Sequence, residues 1–503
     1  MKGSNHKKLN RRKRRIKKRL APRNWKEQGR PMMRGVRPKI EVSDRIRATA
    51  VGGVAAIHEM VRSLGLDQLI NDRLFLLKRH LPYHESDHVL NLAYNVMTGG
   101  MRLGDLDRLR EDESYLDLVG AQRTPDPTTA GDYLRRFKTQ EKVLVLMDAI
   151  NEIRRTKVWS KLPSSERKLG IIDGDGSYVT TTGQKKYGME VNYKGDWGYH
   201  PLVVSLANTQ EPLYVVNRKG NVPSHEGATE WFDRAIEQCR GTFEQIMLRG
   251  DTDFSLTRNF DRWTESGVKF VFGYDAKKQL VKRALRVKES EWKPLERSSG
   301  GPPRTGPRLR RENVKEGIVI EREFKNIRLC SEWVGEIPYR PRKCKGMYRL
   351  IMLRKDLSVE RGEKVLFPDV RYFFYITNDK DLSPAGVVAH ANARCNQENL
   401  LDQMKNGVGA LRVPVHDLVG NWAYMVIASL AWTLKSWFGQ LQPREADRTS
   451  IVRMEFPKFL HSVIRVVCQV VRGGHRTRVR ILSYTPHARL LLLDVGRLAR
   501  PGP

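Results

Sequence analysis

Through the first third of the chain, apolar residues recur three and four positions apart, the period of helices that bury one face. The pattern predicts helices over residues 54–62 and 66–76. A third is expected over residues 86–97, with Val89, Leu90, Ala93, Val96 and Met97 on one face and a stop at Gly99-Gly100. A short helix at 103–110, a turn at Thr124-Pro125-Asp126-Pro127, a helix from about 129 to 137 and an amphipathic stretch over 140–155 complete an all-helical region, 46–160. Short helices joined by tight turns suit a DNA-reading helix-turn-helix and plain packing equally well.

At Lys168 the period becomes extended. Gly170-Ile171-Ile172 leads into Asp173, and strands are expected at 178–181, 201–206 and 213–216, the last two joined by a hairpin turn at Asn208–Glu211. A helix face follows (Ala228, Trp231, Phe232, Ala235, Cys239), then a strand at 245–248, a further helix and a strand at 268–272. This β-β-β-α-β-α-β order is the layout of a ribonuclease-H-like core, so the expected fold class is α/β, a mixed sheet with flanking helices. Residues from about 275 to 365 break the pattern with Ser298-Ser299-Gly300-Gly301-Pro302-Pro303 and β-like runs at 317–321 and 348–353, which predicts an inserted β-rich subdomain. Strand returns at 372–377. A helix of about 384–406 follows, started by Ser383-Pro384 and stopped by Gly407. The catalytic α/β domain then spans 161–440, and 441–503 reads as a basic helical tail.

Charge changes this picture. The 503 residues carry 91 Lys+Arg against 57 Asp+Glu, a formal +34. Residues 1–40 hold 17 of the cations and one acid, and the remainder still keeps +18. The first 45 residues therefore read as a disordered basic arm, and a polyanion, nucleic acid above all, as the partner. No stretch reaches the ~20 uninterrupted apolar residues of a membrane span, and the apolar run from Trp422 to Phe438, broken by Lys435, reads as a buried helix. The basic start excludes a secretory signal, and five scattered cysteines without C-x-x-C spacing exclude a disulfide scaffold and a cysteine zinc site. Both point to the cytoplasm.

Candidate chemistry lies in acids on separate elements. Asp173 and Asp175, two apart on a strand, share a face. Asp251 follows the 245–248 strand, which neighbours the first in a sheet of this layout. Glu398 sits on the 384–406 helix, where a uniform 100° per residue puts Arg394, Glu398 and Lys405 in one stripe. Three converging carboxylates need a cation, and all-oxygen donors suit Mg²⁺ or Mn²⁺, two of which support in-line phosphoryl transfer. By spacing alone, Asp253 and Asp196 are alternatives, and an ordinary surface salt bridge explains Arg394–Glu398 equally well.

Together these stretches resemble the DDE transposases of bacterial insertion sequences, in the branch with a β-rich insertion before the Glu. Ile172-Asp173-Gly174-Asp175-Gly176-Ser177 is similar to the family's first-Asp strand, and Leu248-Arg249-Gly250-Asp251-Thr252-Asp253-Phe254 to its second-Asp motif. Phe373–Asn378 is similar to the strand before the last helix, and Arg394-x3-Glu398-x6-Lys405 to the signature around the Glu. Residues 193–202, 125–129 and 134–137 add to the likeness, which covers roughly 50–440. Two positions depart from it: Ala391 stands at the signature's Tyr, and Asp253 at its usual Gly. The Asp173/Asp175 pair leaves the first ligand open between them; Asp175 is preferred because Gly176-Ser177 follows it.

The resemblance implies metal-dependent cutting at terminal inverted repeats and joining of the 3′-OH ends to target DNA. Asp175, Asp251 and Glu398 would hold two Mg²⁺ (or Mn²⁺) ions, and Arg394 and Lys405 would grip phosphates. Transposon-end DNA, target DNA and a second copy on DNA are the implied partners, and a bacterial cytoplasm with nucleoid association the location. The same acids would also serve a nuclease without strand joining, while a catalytically silent DNA-binding derivative would not need them.

Overall fold

The computed structural model describes residues 2–21, 46–80, 82–295, 314–361, 364–473 and 476–493. Its frame is one mixed sheet. The strands are β1 (Leu169–Gly176), β2 (Leu202–Leu206), β3 (Glu211–Val216), β4 (Gln245–Gly250), β5 (Lys269–Tyr274), β6 (Lys293–Pro294), β7 (Lys325–Tyr339), β8 (Tyr348–Arg361) and β9 (Lys364–Thr377). In space they run β6-β7-β8-β9-β5-β4-β1-β2-β3. β1, β2 and β3 are antiparallel neighbours, whereas β4 lies parallel to β1 and β5 parallel to β4. The strand after Lys168 is thus central, flanked by the 245–250 strand as the element order requires.

The inserted segment is β-rich, but its described strands do not form a subdomain of their own. β9 pairs antiparallel with β5, so β7, β8 and β9 continue the central sheet. The 317–321 run, expected to be extended, belongs to the helix Val314–Glu321. Valine and isoleucine favour strands, yet this stretch has no strand partner, and local helical hydrogen bonds satisfy its backbone. Ser298–Pro303 lie outside the described residues.

The front region is helical, as its spacing predicts. Helix Val54–Leu64 buries Val54, Ile57, Met60, Val61 and Leu64, an i, i+3, i+4, i+7 set. Helix Glu85–Met97 departs from the one-faced reading, since nearly all of it is buried. Two of its buried polar residues find partners inside: Glu85 accepts from the Leu76 and Leu77 amides at 2.7 and 2.8 Å, and Asn91 donates to the Pro125 carbonyl at 2.9 Å. These bonds offset part of the cost of burying polar groups. The helix packs on Leu418–Gln440, the apolar run, which is also almost wholly buried. No helix among the described residues is long and apolar enough to cross a membrane.

Both ends differ from expectation. Residues 2–20 form a helix rather than a disordered arm, and Arg12 donates to the Ile481 carbonyl at 2.6 Å. Beyond residue 452 the tail is only partly helical: Cys468–Gly473 and Arg476–Ile481 form a hairpin, and Ala48–Thr49 adds to it as a third strand. Val463 is buried in the main core, whereas Val470 alternates within the hairpin, so one valine run serves two elements. The chain's two ends meet closely. Gly52 and Gly53 donate to the Val466 and Ile464 carbonyls at 3.0 and 3.1 Å, and a side chain on Gly53 would strike the Val463 carbonyl.

Candidate active site

The two strand aspartates have different surroundings. Asp173 is buried and receives both Nε and Nη2 of Arg249 at 2.7 Å, its register partner across the parallel β1–β4 pair. Arg249 also donates to the His390 carbonyl at 3.1 Å, tying β4 to the helix Pro384–Asn392. Asp173 is therefore neutralised within the protein. Asp175 lies at the end of β1, partly open, where it accepts from Arg394 Nη1 and the Gly176 amide at 2.9 and 2.8 Å. Burial pushes the Asp175 carboxyl up to about 6 against the pull of Arg394, and the nearby Asp251 charge adds to the rise.

Asp251 follows directly on β4 and caps the turn Thr252–Phe254 by accepting the Asp253 amide at 3.0 Å. Burial raises its pKa as well, opposed by Arg394 and reinforced by Asp253. The Asp175 and Asp251 carboxyls thus feel each other across adjacent strand ends, with less positive charge around them than Asp173 has.

The expected single helix over 384–406 is three pieces: Pro384–Asn392, Cys395–Asp402 and a wide π turn at Gln403–Gly407. At the first break the backbone tightens to three-residue bonds, Arg394 amide to Ala391 carbonyl and Gln397 amide to Arg394 carbonyl, at 3.2 and 2.8 Å. A uniform 100° stripe does not survive two changes of pitch. Arg394 and Glu398 still pair at 3.5 Å, so this guanidinium touches both Asp175 and Glu398. Lys405, with its pKa lowered by burial, lies on the wide turn. Its charge reaches His200, where burial is the main depressant and Lys405 adds to it. Glu398 itself is largely exposed.

Two residues outside the sequence expectation fix this arrangement. Arg249 was visible only as part of the second-Asp motif, and its register opposite Asp173 is what makes it a partner. Gln397 is 1% exposed; it donates to the Val203 carbonyl at 3.1 Å and hydrogen bonds with Ser205, seating the Glu398 helix on β2. A glutamine beside a candidate glutamate gives no periodic signal.

A cleft of about 440 Å³ opens between β4, β9 and the broken helix, lined by Asp251, Arg394, Glu398 and the aromatic residues Tyr372, Phe374 and Tyr375. A larger, shallow groove of about 1060 Å³ runs along helix Ala228–Cys239 and holds none of the candidate residues. Among the described residues, no three His, Cys, Asp or Glu side chains stand together as a metal-holding group. Arg394 occupies the space between two of the three candidate carboxylates. The carboxylate oxygens of Asp175 and Asp251 are donors of the kind that suit a hard divalent cation, and here Arg394 balances their charge.

A profile of the family described as "Transposase DDE domain group 1" matches residues 36–502. No curated protein matches the chain. Among solved structures, the chain is similar to one described as a piggyBac transposase synaptic complex with hairpin DNA, at 13% identity over 82% of each chain and a TM-score of 0.35.

Proposed function

The chain belongs to the transposase DDE domain group 1 family, and on that premise we propose that it cuts DNA at the ends of a mobile element and joins the freed 3′-OH groups to target DNA. The observation that carries the site assignment is the contact of one guanidinium, Arg394, with Asp175 and Glu398, side chains brought from distant parts of the chain beside Asp251. Asp175, Asp251 and Glu398 are the proposed catalytic acids in a ribonuclease-H-like core, and would hold a pair of Mg²⁺ or Mn²⁺ ions. Such ions, when bound, supply Lewis-acid activation of an oxygen nucleophile and neutralise charge on the phosphate.

The residues themselves have separable tasks. Arg249 neutralises Asp173 and so leaves Asp175 as the strand's available carboxylate. Arg394 balances the carboxylates of the site, and an incoming phosphate offers its planar fork a further, bidentate partner. Lys405 extends the positive face toward the backbone of the bound strand. Gln397 keeps the Glu398 helix against β2. The helical front, the basic N-terminal helix and two copies of the chain would grip the repeats, with phosphate contacts giving affinity.

The test is incubation of purified protein with labelled candidate end DNA in Mg²⁺ and in EDTA. Cuts leaving 3′-OH at the element boundary, only with metal, are expected, together with joined products. Asp251→Asn should abolish both while end binding persists. Cuts without joined products would reduce the protein to a nuclease; an Asp251→Asn protein as active as wild type would overturn the site.

A further inference from the structure

Just beyond β1 the chain forms a small three-stranded sheet, Val179–Thr180, Glu190–Val191 and Trp197–Tyr199. Three rings run outward through it from the end of β1. His200 is 2% exposed, its Nδ1 is 2.6 Å from the Val222 carbonyl, and its Nε2 abuts Gly176, the neighbour of Asp175. A Cβ on Gly176 would lie 2.6 Å from that nitrogen, so glycine is what lets the ring sit there. Tyr178 stacks on His200 at 4.0 Å with an interplanar angle of 13°. Tyr193 meets Tyr178 edge-on at 5.8 Å and is 79% exposed, with the Lys194 ammonium 5.5 Å from its ring centre. The turn carrying Tyr193 is fixed: the Asn192 side chain accepts the Lys194 and Asp196 amides at 2.8 and 2.9 Å.

We infer that Tyr193, backed by the Tyr178–His200 stack, is a stacking platform for an unpaired nucleobase of the DNA strand bound at Asp175. This rests on the proposed function. An exposed tyrosine on a pinned turn loses little entropy on binding, and it presents a flat π-face of the kind that bases cover. The lysine beside it attracts the adjoining phosphate. The buried end of the ring series stands one residue from Asp175, so a base on Tyr193 leaves its own backbone within reach of the site. Single-stranded ends and flipped bases share this chemistry.

The probe is a duplex with a three-nucleotide unpaired tail carrying 2-aminopurine, compared with the same duplex blunt, both in EDTA. Wild type is expected to quench the fluorophore and to bind the tailed duplex about tenfold more tightly than the blunt one. Tyr193→Ala should lose the quench and the preference, and Tyr193→Phe should keep both. Circular dichroism checks that the exposed substitution leaves the fold intact. Asp251→Asn should quench like wild type while failing to cut, which separates this proposal from the catalytic assignment. Equal binding of the two duplexes by wild type would overturn the platform, as would a Tyr193→Ala protein that still quenches. So would a Tyr193→Ala protein that changes only its sedimentation, which would make the patch an interface between copies.

Discussion

Asp173 and Asp175 are chemically identical and two residues apart, yet the bidentate grip of Arg249 on one gives them opposite expected sensitivities. Asp173→Ala leaves an uncompensated guanidinium in the sheet and should cost about 3–5 kcal/mol, read by urea unfolding. Asp175→Asn should leave the midpoint near that of wild type and remove cleavage. His88 makes a second residue-scale case. Its ring lies parallel to Tyr133 at 4.2 Å, and burial, helped by Arg136, pulls its pKa down to about 4. The unfolded chain regains an ordinary value near 6.5 and so binds more protons between the two. The contribution is whole above about 6.5 and is lost as pH falls toward 4, by ~3 kcal/mol. Unfolding at pH 7.5 and 5 should show a smaller drop for His88→Phe than for wild type, and equal drops would refute the assignment.

At the scale of elements, the short helix Cys395–Asp402 packs Leu400 and Leu401 into the core and is hydrogen bonded to β2 through the Gln397 amide. Gln397→Ala strips the Val203 carbonyl and Ser205 hydroxyl of their partner, an expected loss of about 1–3 kcal/mol. It should lower the cutting rate more than end-DNA binding, because Glu398 loses its seat while the basic surface stays. A nuclease assay and a filter-binding assay on the same preparation separate these effects. Periodicity revealed most of the elements around this site. β1, β2, β3, β4 and β5 lie where alternation and turns put them, and their order follows from the chain. What it missed has local causes: the helix carrying Glu398 changes pitch twice because Arg394 reaches down to Asp175 and Gln403 begins a wide turn. Arg249 and Gln397 stayed hidden because their partners are set by register and docking, which one-dimensional spacing does not encode.

Across the whole molecule, one buried carboxylate joins three parts. Glu211, at the start of β3, accepts from Arg154 at 2.9 Å and Trp159 at 3.1 Å on the helical front, and from Trp437 at 2.7 Å and Gln440 at 2.8 Å on the Leu418–Gln440 helix. Glu211→Ala strands Arg154 in the interior, and an expected loss of about 3–5 kcal/mol should appear as a lower unfolding midpoint. An unfolding free energy within 1 kcal/mol of wild type would mean that the front region and the sheet are held by packing alone.

The strand at Ala48–Thr49 finds its partner only at Cys468–Gln469. Synthesis from one end to the other therefore leaves this strand unpaired, on the order of tens of seconds at ordinary elongation rates. The Gly52 and Gly53 amides likewise find the Val466 and Ile464 carbonyls only then, so this seam is among the last contacts available to the growing polypeptide.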